Sequence, residues 1–390
     1  MINKLSRAHF DLDNFARESQ SKIVAWVDNY YAAKEPPLFT SIDIRNAGFK
    51  LSPVDTNLFP AGFNNLVAEA IQEGSQVLRS RFPKNTKVVI IPENFTRNHK
   101  YFENLKVLQQ MFADAGVENR LGSPFTDREQ HFDDAGISIY PVKKEHDRLI
   151  MVGFEADVIV LNNDLTTEIP DAIVGIKQTV IPAIKFGWHN RKKTKHFTAY
   201  AKVVEDFAQE FSIDPWLISA YFKDCSKVDF RHKEGLGCVA KYVDEIVLKV
   251  QAKYKEYGVD FEPYVFIKAD RGTYGMGMIT ARSGAEVLAI NKKHRHSMDV
   301  IKQGLRNSEV IIQEGVPTIE SDDGHPSETL AYCVGGEVLD LIRRGNSDKD
   351  ETASLNSHGM FFRGRGKGRF DIKHVIAKLA SLAVDFEELD

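Results

Sequence analysis

Apolar positions along residues 5–33 recur at helical spacing (Phe15, Ile23, Trp26, Val27, Tyr30), and Pro36-Pro37 stop the run, which predicts an entry helix. Leu38 to Leu66 reads differently. Ile42 and Ile44 alternate with Asp43 and Arg45, and Pro53, Pro60 and Gly62 then punctuate a turn-rich stretch, so a strand pair feeding a long ordered loop is expected. A helix near 65–80 follows. Beyond it, KVVIIP (Lys87 to Pro92) is a buried-strand run, YFENLKVLQQMFADAG (Tyr101 to Gly116) an amphipathic helix ending in glycine, and ADVIVLNND (Ala156 to Asp164) another strand. Strand, helix and strand in repetition predict an α/β fold with a parallel sheet and crossover helices.

The polar, basic stretch GWHNRKKTKHF (Gly187 to Phe197) marks a boundary. Helices near 198–211 and 241–257 then precede the strand YVFIKA. Three more strands are predicted, VIIQEGV (Val310 to Val316), ETLAYCVGG (Glu328 to Gly336) and EVLDLIRRG (Glu337 to Gly345), the last two joined as a tight hairpin at Gly335-Gly336. FFRGRGKGRF leads into a closing helix.

Composition narrows the partner. At 390 residues two or three subdomains are expected, and 51 basic against 55 acidic residues leave a net charge of −4, with no field for nucleic acid. A small-molecule partner fits better, and homo-oligomerisation is left open. No apolar segment reaches membrane-spanning length, and the first twenty residues carry no apolar signal-peptide core, so a cytoplasmic protein is expected. Cys225, Cys238 and Cys333 are odd in number and widely separated, which suggests unpaired thiols in a reducing compartment.

Candidate chemistry gathers at FIKADRGTYGMGMI (Phe266 to Ile279), where Lys268 ends an apolar run and Gly272, Gly275 and Gly277 follow. The spacing is neither of the two familiar nucleotide motifs. It suits either a plain hairpin with a solvated lysine, or a phosphate grip in which Lys268 acts as a point charge and Arg271 to Met276, with Tyr274, close over the ligand. In VIIQEGVP, Gln313, Glu314 and Val316 sit where a strand end offers backbone groups to an adenine edge, or simply end a strand. Glu328, Asp340, Arg343, Arg344, Glu351 and Asn356 form an acidic and polar set; oxygen donors of this kind suit magnesium, and an arginine suits a carboxylate or phosphoryl group. Strand alternation puts Asp340 and Ile342 on one face, and Leu339, Leu341 and Arg343 on the other. RGRGKGR (Arg363 to Arg369) reads as a mobile basic loop, with a lid over a triphosphate as its functional version.

Lysine strand, glycine turn, Gln-Glu-x-x-Pro strand, hairpin and DETASLNSHG, in that order, resemble the glutathione-synthetase-like branch of the ATP-grasp fold. RKKTKHFTAY resembles the segment carrying that branch's first phosphate-binding lysine, which would be Lys195. SIDIRNAGFKLSPVDTNLFPAGFNNL, with ADVIVLNNDLTTEIPD downstream, resembles the bacterial glutamate-cysteine ligases of the short ATP-grasp type over nearly the whole chain. The resemblance implies an N-terminal Rossmann-like substrate domain (1–190), a first ATP-grasp subdomain with a helical insertion (191–265), and a glycine loop with the second subdomain (266–390). It implies ATP and Mg2+, and formation of gamma-glutamylcysteine from glutamate and cysteine through an acyl phosphate. Lys268 and Arg343 would be catalytic. Lys195, Lys268, Gly272, Tyr274, Gly275, Gly277, Gln313, Glu314 and Val316 would hold ATP. Asp43, Arg45, Lys50, Asp55, Asn57 and Asn64 would meet glutamate, with Arg45 on its α-carboxylate and Asp55 on its ammonium; Glu328, Asp340 and Asn356 would hold the metal. No Glu-x-Asn pair follows Asn356, where many such ligases carry one. Another carboxylate–amine ligase, such as one making glutathione, and a non-catalytic nucleotide-binding regulator are the competing readings.

Overall fold

The computed structural model describes residues 11–32, 34–94, 98–133, 135–272, 278–299 and 307–389, and Tyr274, Gly275 and Gly277 lie outside them. The expected entry helix is two helices, Leu12–Glu18 and Gln20–Tyr31, broken at Ser19; the Asp11 carboxylate caps the first by accepting from the Asn14 N–H at 2.9 Å.

The chain is a mixed α/β structure with several sheets. One sheet runs in the order Thr179–Ile181, Val158–Asn162, Lys87–Pro92, Glu118–Ser123 and Ile137–Pro141, all parallel, with Gln130–Phe132 added antiparallel at the edge. The apolar runs at 87–92 and 158–162 sit at its centre because a strand covered on both faces needs no polar side. Helix His99–Asp114 packs against it, with helix Ala68–Arg81 on that helix's other side, and Gly116, at φ +81°, ends His99–Asp114 as the sequence predicts.

A second sheet is antiparallel and joins distant parts of the chain, in the order Met360–Arg363, Glu337–Asn346, His325–Val334, Phe39–Asn46 and Leu51–Asn57. The hairpin at Gly335-Gly336 is as expected, with both residues at positive φ (58° and 82°). Ile42 faces Ala331 and Asp43 faces Leu330, so the first expected segment shares a sheet with the third. The third sheet, also antiparallel, runs Phe222–Ser226, Glu309–Glu314, Val265–Ala269 and Met278–Ala281.

The largest core unites the N-terminal helices, Lys193–Phe211, Leu236–Tyr257 and the closing helix Ile372–Ala383. That last helix is apolar nearly all round and almost wholly buried, as such a helix must be. Beside the second and third sheets, Gly315 lets the chain pass the Tyr264 ring; a Cβ there would lie 2.3 Å from it. Gly315→Ala is therefore expected to cost about 1–3 kcal/mol, read as a lower urea midpoint at unchanged slope.

The expectation of three unpaired thiols is overturned. Cys225, on strand Phe222–Ser226, is bonded to Cys238 in the first turn of helix Leu236–Tyr257, because strand and helix bring their Cα atoms within 6.5 Å. Cys333 is a buried free thiol. Among the described residues no helix is long and apolar enough to cross a membrane.

Candidate active site

Alternation on the antiparallel sheet builds one wall of a cleft. Asp43 and Arg45, two apart on Phe39–Asn46, share a face; Asp55 lies directly across from Asp43, and Glu328 across from Arg344. Facing this wall are Phe266 and Lys268 from Val265–Ala269, Lys193 from the start of helix Lys193–Phe211, and Arg271 and Gly272 from the glycine turn. With Ser354 and Asn356 they line a cleft with about 600 Å³ of empty space, open to solvent.

Lys268 spans the two sheets. Its ammonium donates to Gln313 Oε1 at 2.7 Å, from the same face of the neighbouring strand, and to the Val54 carbonyl at 2.9 Å on the opposite wall. Burial pushes its pKa down to about 8, with Lys193 and Arg45 adding to the fall and Asp55 opposing it. Gln313 is fully buried, and its Nε2 has no partner among the described residues.

The wall is a chain of ion pairs. Arg45 Nε donates to Glu328, and its other nitrogens donate to the carbonyls of Glu351 (3.2 Å) and Ala353 (2.6 Å). Arg344 donates twice to Glu328 Oε1, at 2.9 and 2.6 Å, and also to Asp43. Burial would raise the Glu328 carboxyl, but Arg45 and Arg344 outweigh it and hold the pKa below the ordinary range. Asp43 comes out raised, since burial prevails over Arg344 with Glu328 and Asp55 adding to it. Asp55 accepts from Lys193 Nζ at 2.8 Å; burial would raise it, but Lys193 and Lys268 keep it low.

Other candidates fall elsewhere. Lys195 is exposed on helix Lys193–Phe211, whereas Lys193 is in the cleft, because two residues along a helix turn the side chain by about 200°. Lys50 is fully buried on Glu314 at 2.8 Å and over the Trp216 ring, and Glu314 also accepts from Trp216 Nε1 and the Tyr221 N–H. Both side chains are thus committed inside the protein. The backbone edge expected to meet adenine is paired as well, Glu314 N–H to Tyr221 O and Gly315 N–H to Tyr264 O, and Val316 is buried. Asn57 caps a turn through the Phe59 N–H, and Asn64 bonds Glu103 at the surface. Lys50→Met is expected to destabilise by about 3–5 kcal/mol, by leaving Glu314 buried and unpaired, while the KM values of the folded enzyme stay as they were. Denaturant titration beside steady-state kinetics checks both.

Arg343 donates to Thr329 Oγ1 at 2.9 Å and pairs with Glu320, on the opposite strand face from Arg344, which enters the cleft. Asp340 accepts from the Val67 and Arg365 N–H groups and does not line the cleft; four residues of strand place it about 13 Å from Arg344. The cations of the basic loop find carboxylate partners: Arg365 reaches Asp322 at 2.8 Å, Lys367 reaches Glu73 at 2.7 Å, and Arg363 pairs with Asp322 and Asp323. Among the polar lining residues, the sequence reading does not single out Lys193 and Ser354, and it gives Arg344, though in its polar set, no role in the site. For Arg344, alternation from Arg343 is a signal that could have found it.

The magnesium set does not assemble, since Glu328 and Asn356 are in the cleft but Asp340 is not. Glu328, moreover, already accepts from two guanidiniums. Among the described residues no three histidine, cysteine, aspartate or glutamate side chains form a metal cluster.

Five cations (Arg45, Lys193, Lys268, Arg271, Arg344) against three carboxylates (Asp43, Asp55, Glu328) give the cleft an excess of positive charge, the kind of concave, charged surface on which enzymes hold anionic small molecules. The chain belongs to the glutamate-cysteine ligase family, whose model matches residues 13–387. It is similar to a protein from Methylobacillus flagellatus KT, provisionally named a gamma-glutamylcysteine synthetase, at 36% identity and TM-score 0.88, with 98% of each chain covered. The D-alanyl-alanine synthetase A of Vibrio cholerae O1 biovar eltor aligns at 11% identity and TM-score 0.37, over 79% of this chain and 83% of that one, which is too distant to carry weight. None of the curated proteins compared with the chain matches it. The chain is accordingly a glutamate-cysteine ligase, an enzyme of glutathione biosynthesis.

Proposed function

We propose that the chain joins the γ-carboxylate of L-glutamate to the amine of L-cysteine, consuming ATP, by way of an acyl phosphate formed in the Lys268 cleft on an ATP-grasp type of scaffold. The observation that carries this reading is the excess of cations around a buried, strand-held lysine.

A carboxylate is a poor acyl donor, because its charge repels nucleophiles and oxide is not a viable leaving group. Transfer of the γ-phosphoryl group onto the glutamate γ-carboxylate removes both obstacles. The cysteine amine then attacks the carbonyl carbon, the carbon–oxygen bond to phosphate breaks, and the amine proton is lost. No protein nucleophile is needed, so the residues act by position and charge. Lys268 and Lys193 are suited to hold phosphoryl oxygens. Arg271, half-exposed beside the glycine turn, donates to Glu309 and to the His189 carbonyl and would have to give up part of that set to meet a phosphate or carboxylate, while Arg45 is engaged by Glu328 and two carbonyls. Asp55 is placed to accept from a substrate ammonium once Lys193 turns to phosphate. Since the donor set does not fit a resident magnesium, no step is assigned to one.

ADP release measured with glutamate and each of a series of amines tests the assignment. Turnover should require both glutamate and cysteine. Turnover independent of cysteine would sink the cysteine assignment, and γ-glutamylcysteine accepted with glycine would favour a glutathione-forming ligase.

A further inference from the structure

Behind the cleft lies a fully buried charged group that the proposed chemistry does not use. Arg191 sends two parallel hydrogen bonds to Glu387, Nε to Oε2 at 2.8 Å and Nη2 to Oε1 at 2.7 Å, and both side chains are wholly excluded from solvent. His196 Nδ1 lies 2.8 Å from Glu387 Oε1, and its Nε2 has no partner among the described residues. Burial disfavours the imidazolium and would raise the carboxyl, yet Arg191 holds Glu387 down to about 2, so a neutral His196 donates to an ionised Glu387.

The third arm of Arg191 points at the active site. Its Nη1 donates to the Thr56 carbonyl at 2.7 Å, the residue after Asp55 on strand Leu51–Asn57. Two residues on, Lys193 reaches Asp55 itself at 2.8 Å. Trp188 lies against both cations, 5.1 Å from the Arg191 guanidinium and 4.5 Å from the Lys193 ammonium. Glu387 follows the closing helix Ile372–Ala383, the most deeply buried helix, through the short turn Val384–Phe386, so its carboxylate is anchored to the core.

We infer that Glu387 is a positioning residue of the ligase: through Arg191 it fixes the strand end bearing Asp55 and the segment bearing Lys193, and so sets this ion pair in the cleft. A carboxylate just beyond the closing helix thereby controls substrate handling without touching substrate. The inference rests on the proposed role of Lys193.

A double-mutant cycle tests it, with Glu387→Gln made in the full-length enzyme and in the Lys193→Met background. Glu387→Gln should lower kcat/KM about tenfold in the wild-type background but less than twofold where Lys193 is already gone. The melting temperature should fall equally in both backgrounds, since the Arg191 pair is lost in each. A purely structural role predicts the same loss of kcat/KM in both, and that result, or no loss in the wild-type background, overturns the inference. If Lys193→Met leaves kcat/KM unchanged, the phosphate-binding role of Lys193 fails, and the inference with it. Should Glu387→Gln not fold, Glu387→Asp, which keeps the charge but withdraws it by one methylene, is read by the same criteria.

Discussion

Lys268→Met should abolish most activity while leaving the protein as stable as before, or more so. A preorganised charge acting on a developing phosphoryl charge supplies about 2–4 kcal/mol, so kcat/KM is expected to fall roughly 30- to 1,000-fold. Stability moves the other way because Lys268 is buried with no salt bridge of its own among the described residues. It bonds a carbonyl and an amide oxygen, and its pKa of about 8 lies below the ordinary 10.5. Between pH 8 and 10.5 the unfolded chain binds the proton and the folded chain does not, so this group makes stability rise with pH through that window and costs stability below it. Methionine removes the cost. The same pKa sets a kinetic expectation: kcat/KM should decline above about pH 8 as the ammonium is lost, and Lys268→Arg, charged throughout, should move that limb to higher pH. Thermal melts with pH–rate profiles check both. A large loss of stability in Lys268→Met would show that the lysine is structural.

Glu328→Gln should fail by a different route. Glu328 accepts from Arg45 and Arg344, and all three side chains are buried; neutralising it leaves two guanidiniums short of a counter-charge. Removing one partner of a buried pair costs about 3–5 kcal/mol, which the urea midpoint should show without any ligand present. Activity should fall with it, since Arg344 also holds Asp43 at the cleft. Were Glu328 chiefly a metal ligand, the free enzyme would unfold at an unchanged midpoint and only metal affinity would drop.

Much of the frame was readable because it rests on local rules. Continuous apolar runs marked the central strands at 87–92 and 158–162, Gly335-Gly336 marked the hairpin, and the lysine ending YVFIKA marked a cleft residue. What could not be read depends on which partner a charge finds across the fold. Lys50 and Glu314 look like two ligand-binding residues in sequence, yet they neutralise each other across 264 positions. Lys195 and Lys193 differ only in helical phase, which hangs on where helix Lys193–Phe211 starts. Asp340 and Arg344 share a strand, but its length separates a residue that caps backbone N–H groups from one that enters the cleft. Cys225 and Cys238 pair because a strand and a helix meet, and no C-x-x-C spacing announces it.

On the proposed reading, the glutamate γ-carboxylate is activated as an acyl phosphate, a mixed anhydride, in the Lys268 cleft. Glutamate carrying 18O in the γ-carboxylate, turned over with ATP and cysteine, tests it directly by mass analysis of the released phosphate. One 18O per phosphate is expected, with its rate of appearance lowered in Lys268→Met to the same extent as ADP release. Phosphate free of 18O, formed while γ-glutamylcysteine accumulates, would contradict the account.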